Sequence, residues 1–192
     1  MTTGRPARSV ESAPLAEPAS PPGRTPPGQM PPGREPAPGP LTLTGPDELR
    51  TSASWMVGPT DLLVVGADRV DGFEAATAGP RPGWAAGALG APGRPGSGAE
   101  RPVPGLLLLS LVNFVLPRLV DVRGFAMGVN YGTGAVRFPS ALPVGGAVRG
   151  GLVILDVADV PGGLQATYRV TLTAETTGQP VCVADALARY LV

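Results

Sequence analysis

In the last third of the chain, apolar and polar positions alternate with a period of two. Ala166, Tyr168, Val170 and Leu172 interleave with Thr167, Arg169, Thr171 and Thr173, the pattern of a strand with one buried and one solvated face. The run 148–157 precedes it across Pro161-Gly162-Gly163, a turn signal. Thr177-Gly178-Gln179 then turns the chain into 181–190. Consecutive antiparallel strands follow from this punctuation. Upstream, Gly45-Pro46-Asp47-Glu48 predicts a short helix that ends before Gly58-Pro59, with Pro in the first turn and acids at the positive end of the dipole. The stretch 62–65 reads as a buried strand. Gly66 or Asp68 starts a second helix, with Val70, Phe73, Ala76 and Thr77 on one face. The run 106–116 is apolar on every side, and a helix of that kind has to be enclosed by other structure. The order predicts an α+β fold in which a curved antiparallel sheet wraps around a central apolar helix.

Composition divides the chain. Residues 1–40 hold 12 prolines and almost no large apolar side chains. A Pro-Pro-Gly-x-x repeat starts at Pro21, Pro26 and Pro31; its period of five rules out a collagen helix, which needs Gly at every third position. Such a segment buries too little to offset its ordering entropy, so a disordered tail is expected before a domain at 41–192. Within that domain, 14 of the 27 residues at 79–105 are Gly or Pro, which predicts an irregular loop.

Charge and cysteine usage narrow the function classes. The 15 basic and 15 acidic residues cancel, and without clustered positive charge no nucleic-acid partner is expected. Every basic residue is Arg, and GC-rich coding accounts for that. The one cysteine, Cys182, excludes an intramolecular disulfide and reads as a small buried residue. The first residues show no apolar run, so no signal peptide is expected, and the 11-residue run 106–116 is shorter than the ~20 residues that span a bilayer. A soluble, cytoplasmic protein without membrane contact is expected.

Specific strings add a family resemblance. Met127-Gly128-Val129-Asn130-Tyr131-Gly132 resembles a stretch of MaoC-like dehydratases of the NodN type, within the (R)-specific enoyl-CoA hydratase family. Val136-Arg137-Phe138-Pro139 with Pro143-Val144-Gly145 resembles the segment behind it. Pro161-Gly162-Gly163-Leu164-Gln165 with Thr167-Tyr168-Arg169-Val170 continues the likeness, and Gly105, Leu107, Leu109, Ser110 and Leu111 resemble the start of the family's central helix. The likeness covers roughly residues 45–192. It is dense from Gly124 onward and patchy between Gly79 and Pro104.

The resemblance implies a hot-dog fold and the chemistry of trans-2-enoyl thioesters, hydrated or formed by dehydration. That chemistry needs an acid–base pair to activate water and protonate the α-carbon, and donors for the thioester oxygen as enolate charge develops. The family carries the pair on an Ala-Thr-Gly-Asp-x-x-x-x-His segment shortly after the helix that here holds Phe73. Counting without gaps puts Thr77 on the Thr, Gly79 on the Asp and Trp84 on the His, with Pro104 where a His commonly precedes the helix glycine. The chain has no histidine. Glu100, beside Arg81, Arg94 and Arg101, is the one carboxylate between Gly79 and Gly105. It reads as solvated, as do Asp68, Asp71 and Glu74 on the second helix. Tyr131, with an ordinary pKa near 10, needs a strong perturbation to act as a base. No catalytic residue is therefore assigned.

A binding frame remains. The amide of Gly105 at the helix start is placed for a thioester oxygen, and Arg137 for a coenzyme A or carrier-protein phosphate. Asn130 and Tyr131 join them as candidate cavity groups, and Trp84 either fills the cavity or covers core. No metal and no cofactor are expected. The resemblance also implies pairing through sheets, with tunnels at the subunit interface. That makes a homodimer, or a heterodimer with a catalytic MaoC-like chain, the expected state. Three functions compete. One is a non-catalytic subunit binding an acyl-CoA or acyl-carrier-protein thioester. Another is a repurposed enzyme for dehydration, isomerisation or cyclisation of a carrier-bound acyl or polyketide chain. The third is a decayed paralogue.

Overall fold

The alternation at 163–174 becomes the centre of the sheet. A computed structural model of the chain describes residues 40–77 and 101–192. In it β6 (Ala147–Val160), β7 (Gly163–Ala174) and β8 (Pro180–Leu191) form an antiparallel meander. Register sets the faces: Tyr168 lies opposite Ala186 and Leu172 opposite Cys182. The even-numbered positions of β7 and β8 thus share the side on which Ala166, Tyr168, Val170, Leu172, Cys182 and Ala184 are fully buried. β5 (Met127–Arg137) adds to β8 and forms one edge. The short β2 (Met56–Val57) and β3 (Leu63–Val64) both pair with β6 at the other edge, for a strand order of β2-β6-β7-β8-β5.

The apolar run supplies the helix this face encloses. α3 (Gly105–Ser110) packs on β8 and α4 (Val112–Leu119) on β6, joined through a tight turn at Leu111. Leu107, Leu108, Leu111, Val112, Val115 and Leu119 are buried against the sheet. At about 1.5–3 kcal/mol for each fully buried large side chain, this seam is a main source of the domain's stability. Gly150 of β6 lets it close, since a Cβ there would overlap the Val115 side chain.

The N-terminal elements cap one end. β1 (Leu41–Thr44) runs parallel to β4 (Val120–Arg123), and α1 (Gly45–Thr51) follows it, burying Leu49. α1 starts at the predicted Gly45-Pro46 and carries Asp47 and Glu48 in its first turn. α2 (Ala67–Ala76) starts after Gly66.

Three expectations change. The stretch 62–65 is only partly buried, because a two-residue edge strand hides alternate positions: Val65 is buried, whereas Leu62 and Val64 are exposed. On α2 Val70 is buried and Phe73 half-buried, but Ala76 and Thr77 lie in solvent, since the helix runs out beyond the core. The central helix is not enclosed all round: Leu106 is 56% exposed, and the helix continues through Pro117 to Leu119. Residues 101–104, at the end of the Gly/Pro-rich stretch, form no named helix or strand but are tied into the domain. Val103 is buried and donates to the Leu142 carbonyl (2.7 Å), while Val144 donates to the Arg101 carbonyl (2.8 Å). The expected tail before Pro40, the rest of that stretch, and Gly79, Trp84 and Glu100 lie outside the described residues. Among the described residues no helix is long and apolar enough to cross a membrane.

Candidate functional site

The central helix opens at Gly105, as its sequence predicts. Pro104 precedes it, and the Pro104 carbonyl accepts from the amides of Leu107 (3.0 Å) and Leu108 (3.1 Å). The amides of Gly105 and Leu106 come before that first intrahelical bond, so the helix geometry gives them no acceptor within it. The Phe138 ring lies directly on Gly105, where a Cβ would fall 2.9 Å from its nearest carbon. Glycine is required at this point by close approach.

One stripe of the helix stays open. Leu106, Ser110, Asn113 and Pro117 are spaced by three and four residues, and all are exposed. This stripe faces β5, because Asn130 Nδ2 donates to Asn113 Oδ1 across 2.8 Å. The pairing of Asn130 with Ala188 puts Asn130 on the helix side of the sheet. A groove therefore runs between helix and edge strand, with Gly105 and Phe138 at one end and the two amides further along.

The expected site residues do not all gather there. Tyr131, next to Asn130, sits where the β5–β8 register slips. Its ring stacks under Arg189, 3.4 Å from the guanidinium carbon, and Arg189 also donates to Gln165 at 2.9 Å. Gln165 and Arg189 belong to the odd-numbered, outer face of the sheet. Arg137 pairs with Val183 on that same face. Gly105 and Asn130 thus lie on the helix side, while Tyr131 and Arg137 lie on the other, because neighbouring strand positions point in opposite directions. The idea of one cavity lined by Asn130, Tyr131 and Arg137 does not hold within this chain.

Asp71 stays solvent-exposed, as expected, whereas Glu74 is partly buried. Both hold Arg101, at 2.7 Å and 2.6 Å, and fasten α2 to the chain that enters the central helix. Sequence reasoning missed Asn113, Phe138 and this arginine. Asn113 carried a signal, as a lone amide in an otherwise apolar run one helical turn after Ser110.

Buried titratable groups supply no acid–base pair. Tyr168 and Tyr190 share a hydrogen bond between their hydroxyls (2.9 Å), and burial pushes both phenols above their usual range. Burial raises the Cys182 thiol to about 11. On the outer face Arg169 grips Asp185 through two bonds of 2.7 Å and 3.0 Å, and that contact holds the guanidinium above its ordinary value. Among the described residues no three of His, Cys, Asp and Glu meet in a way that holds a metal ion. Among the described residues, the side chains seen to meet in the groove are the two amides, which donate and accept hydrogen bonds.

A curved antiparallel sheet around one helix is the hot-dog fold. The MaoC-like dehydratase from Rhodospirillum rubrum has it, with a TM-score of 0.52 at 14% identity over 72% of this chain and 92% of that one. So does the HadBC (3R-hydroxyacyl-ACP dehydratase) complex from Mycobacterium tuberculosis, with a TM-score of 0.52 at 17% identity over 72% and 96%. In sequence, 3-hydroxyacyl-thioester dehydratase Z of M. tuberculosis is 35% identical over 88 residues, 45% of this chain and 58% of that protein. The chain spans a little over half the length of the curated relatives it matches. No family model matches it. The chain thus has the hot-dog fold of these structures, and part of its sequence is similar to 3-hydroxyacyl-thioester dehydratase Z.

Proposed function

We propose that this chain is an acyl-thioester-binding hot-dog subunit that lacks an acid–base pair of its own and pairs with a catalytic enoyl-CoA hydratase or dehydratase chain. The observation that carries the reading is the absence of histidine from all 192 residues, in a chain whose helix start and flanking groove are kept. Hydration of an enoyl thioester needs a group that takes a proton from water and returns one to carbon. The amides of Asn113 and Asn130 orient a ligand but hold no such proton. The backbone N–H at Gly105 is oriented to donate to a thioester carbonyl oxygen as negative charge builds there.

Pairing through β5 fits this role. It is an 11-residue edge strand with Met127, Val129 and Tyr131 exposed, and its outer edge offers backbone groups to another strand. A partner strand there would roof the groove beside Asn113 and Asn130 and supply the missing acid and base. The subunit is a homodimer in isolation or a heterodimer beside a catalytic chain, and its ligand is an acyl-CoA or an acyl-carrier-protein thioester. The test is to mix the purified chain with the MaoC-like protein encoded nearest to it. A stable heterodimer with enoyl-CoA hydration above that of the neighbour alone is expected; no association and no gain would overturn the subunit role.

The Asn113–Asn130 pair also favours a second reading. A polar pair facing a groove suits an enzyme that steers isomerisation, dehydration or cyclisation of a carrier-bound acyl or polyketide chain by shape and hydrogen bonds. Turnover of such a substrate by the chain alone would select this reading.

A further inference from the structure

One margin of the sheet carries unpaired charge of a single sign. The edge strand β5, from Met127 to Arg137, holds no carboxylate. Its neighbour β8 holds one, Asp185, and Arg169 grips both of its oxygens. Arg137 is exposed at the end of β5. Arg189 lies opposite Val129 near the start of that strand, where the Tyr131 ring and Gln165 engage it. Both arginines face the outer side of the sheet, and neither forms an ion pair among the described residues. Asp156 faces the same side from β6, with β7 between it and β8. The exposed side chains of Met127, Val129 and Tyr131 complete this margin.

A strand added to β5 has to meet these charges. Like charges that face each other across neighbouring strands destabilise the pairing, and opposite charges support it. A second copy of this chain, related by a two-fold axis normal to the sheet, would pair its β5 antiparallel with this one. With the two strands fully overlapped, the Arg137 end of each copy meets the Met127–Val129 end of the other. Arg137 of one copy then lies beside Arg189 of the other. Two strand spacings separate their α-carbons, about 10 Å, which is no more than the Debye length in 0.1 M salt. Symmetry repeats the repulsion at the other end. A strand whose outer face presents carboxylates toward Val129 and Arg137 gains attraction at both ends instead. We infer that Arg137 and Arg189 select the partner of β5: they disfavour a second copy of this chain and favour a non-identical edge strand with outward-facing carboxylates. The inference rests on the pairing through β5 proposed above, and it gives Arg137 a protein carboxylate to meet rather than a phosphate.

The test is sedimentation equilibrium of the full chain at about 0.02 M and about 0.5 M salt, with urea midpoints to check that each variant folds. Self-association of the wild type should be weak and should tighten about tenfold as salt rises, because screening removes repulsion. Arg137→Glu and Arg189→Glu each set an acid against the remaining arginine of the other copy. Either should self-associate about tenfold more tightly than the wild type in low salt, and salt should now weaken it. The double variant opposes like charges again and should return to wild-type behaviour. Arg137→Gln, a milder change at an exposed position, should leave association nearly independent of salt. Equal association in wild type, single and double variants overturns the inference, as does wild-type self-association that salt weakens. Single variants that stay monomeric, while the wild type still forms a heterodimer with the MaoC-like protein encoded nearest to it, also overturn it. Absence of both kinds of dimer in every form would instead defeat pairing through β5 itself, and the selection with it.

Discussion

Asn130 reaches from the edge strand to the central helix and donates to Asn113 across 2.8 Å, tying the two walls of the groove together at a point where both side chains are open to solvent. An exposed amide pair contributes little to folding, at the low end of the roughly 0.5–1.5 kcal/mol of an ordinary hydrogen bond. Its value lies in what it orients. Asn113→Ala and Asn130→Ala should shift the urea midpoint only slightly while weakening acyl-thioester binding several-fold. Unchanged binding in both variants would show that the groove is not the ligand site.

Gly105 is required by Phe138 rather than by its backbone angles. Alanine is favoured over glycine within a helix by about 0.5–1 kcal/mol, so propensity alone would make Gly105→Ala stabilising. The ring atoms around 3 Å from the added Cβ reverse the sign, because overpacking costs about 1–3 kcal/mol. Gly105→Ala should lower stability in chemical denaturation, and Phe138→Leu in the same chain should restore part of the loss. A stable single variant would mean that the contact gives way easily.

The Arg169–Asp185 pair fixes the outer face of β7 and β8. Asp185 is 6% exposed, and replacing it by Asn leaves the Arg169 guanidinium with a weaker acceptor. Asp185→Asn is expected to cost about 1–3 kcal/mol, read from the urea midpoint. A loss near zero would place the pair among surface ion pairs of little consequence.

Cys182 gives a pH dependence with a definite sign. Burial raises its folded pKa from 9.0 to about 11, so above pH 9 the unfolded chain releases a proton that the folded chain keeps. Stability contributed by the protonated thiol is complete below pH 9 and is lost as pH rises from there through 11. The buried Tyr168 phenol, also raised, acts in the same direction above its ordinary value of 10. The unfolding midpoint should fall in alkaline solution, less steeply in Cys182→Ala, and a thiol reagent at pH 8 should label Cys182 only after denaturation. Rapid labelling of the folded chain would contradict the burial.

Much of this was legible from residue order because one period decided it. Ala166, Tyr168, Val170 and Leu172 could be buried together only in a strand, and their turns at Pro161-Gly162-Gly163 and Thr177-Gly178-Gln179 left antiparallel pairing as the simple outcome. Gly105 was legible as the start of a helix for a similar reason. The placement of Tyr131 was not, because a register slip in β5 depends on how β8 meets it and leaves no mark in the string. Nor was the open stripe of the central helix: Leu106 and Asn113 face a strand that starts 14 residues after Asn113, and an all-apolar run does not reveal which side lacks a neighbour. Arg101 was read as part of a Gly/Pro-rich stretch, and its partners came from a helix 30 residues away.

The proposed role has the chain bind an acyl thioester while a partner supplies the acid and base. Crotonyl-CoA hydration by the purified chain alone, followed by loss of enoyl absorbance, tests it most directly. No rate above the uncatalysed reaction is expected, at any pH between 6 and 9. Steady turnover by the chain alone would contradict the claim and require a base other than histidine.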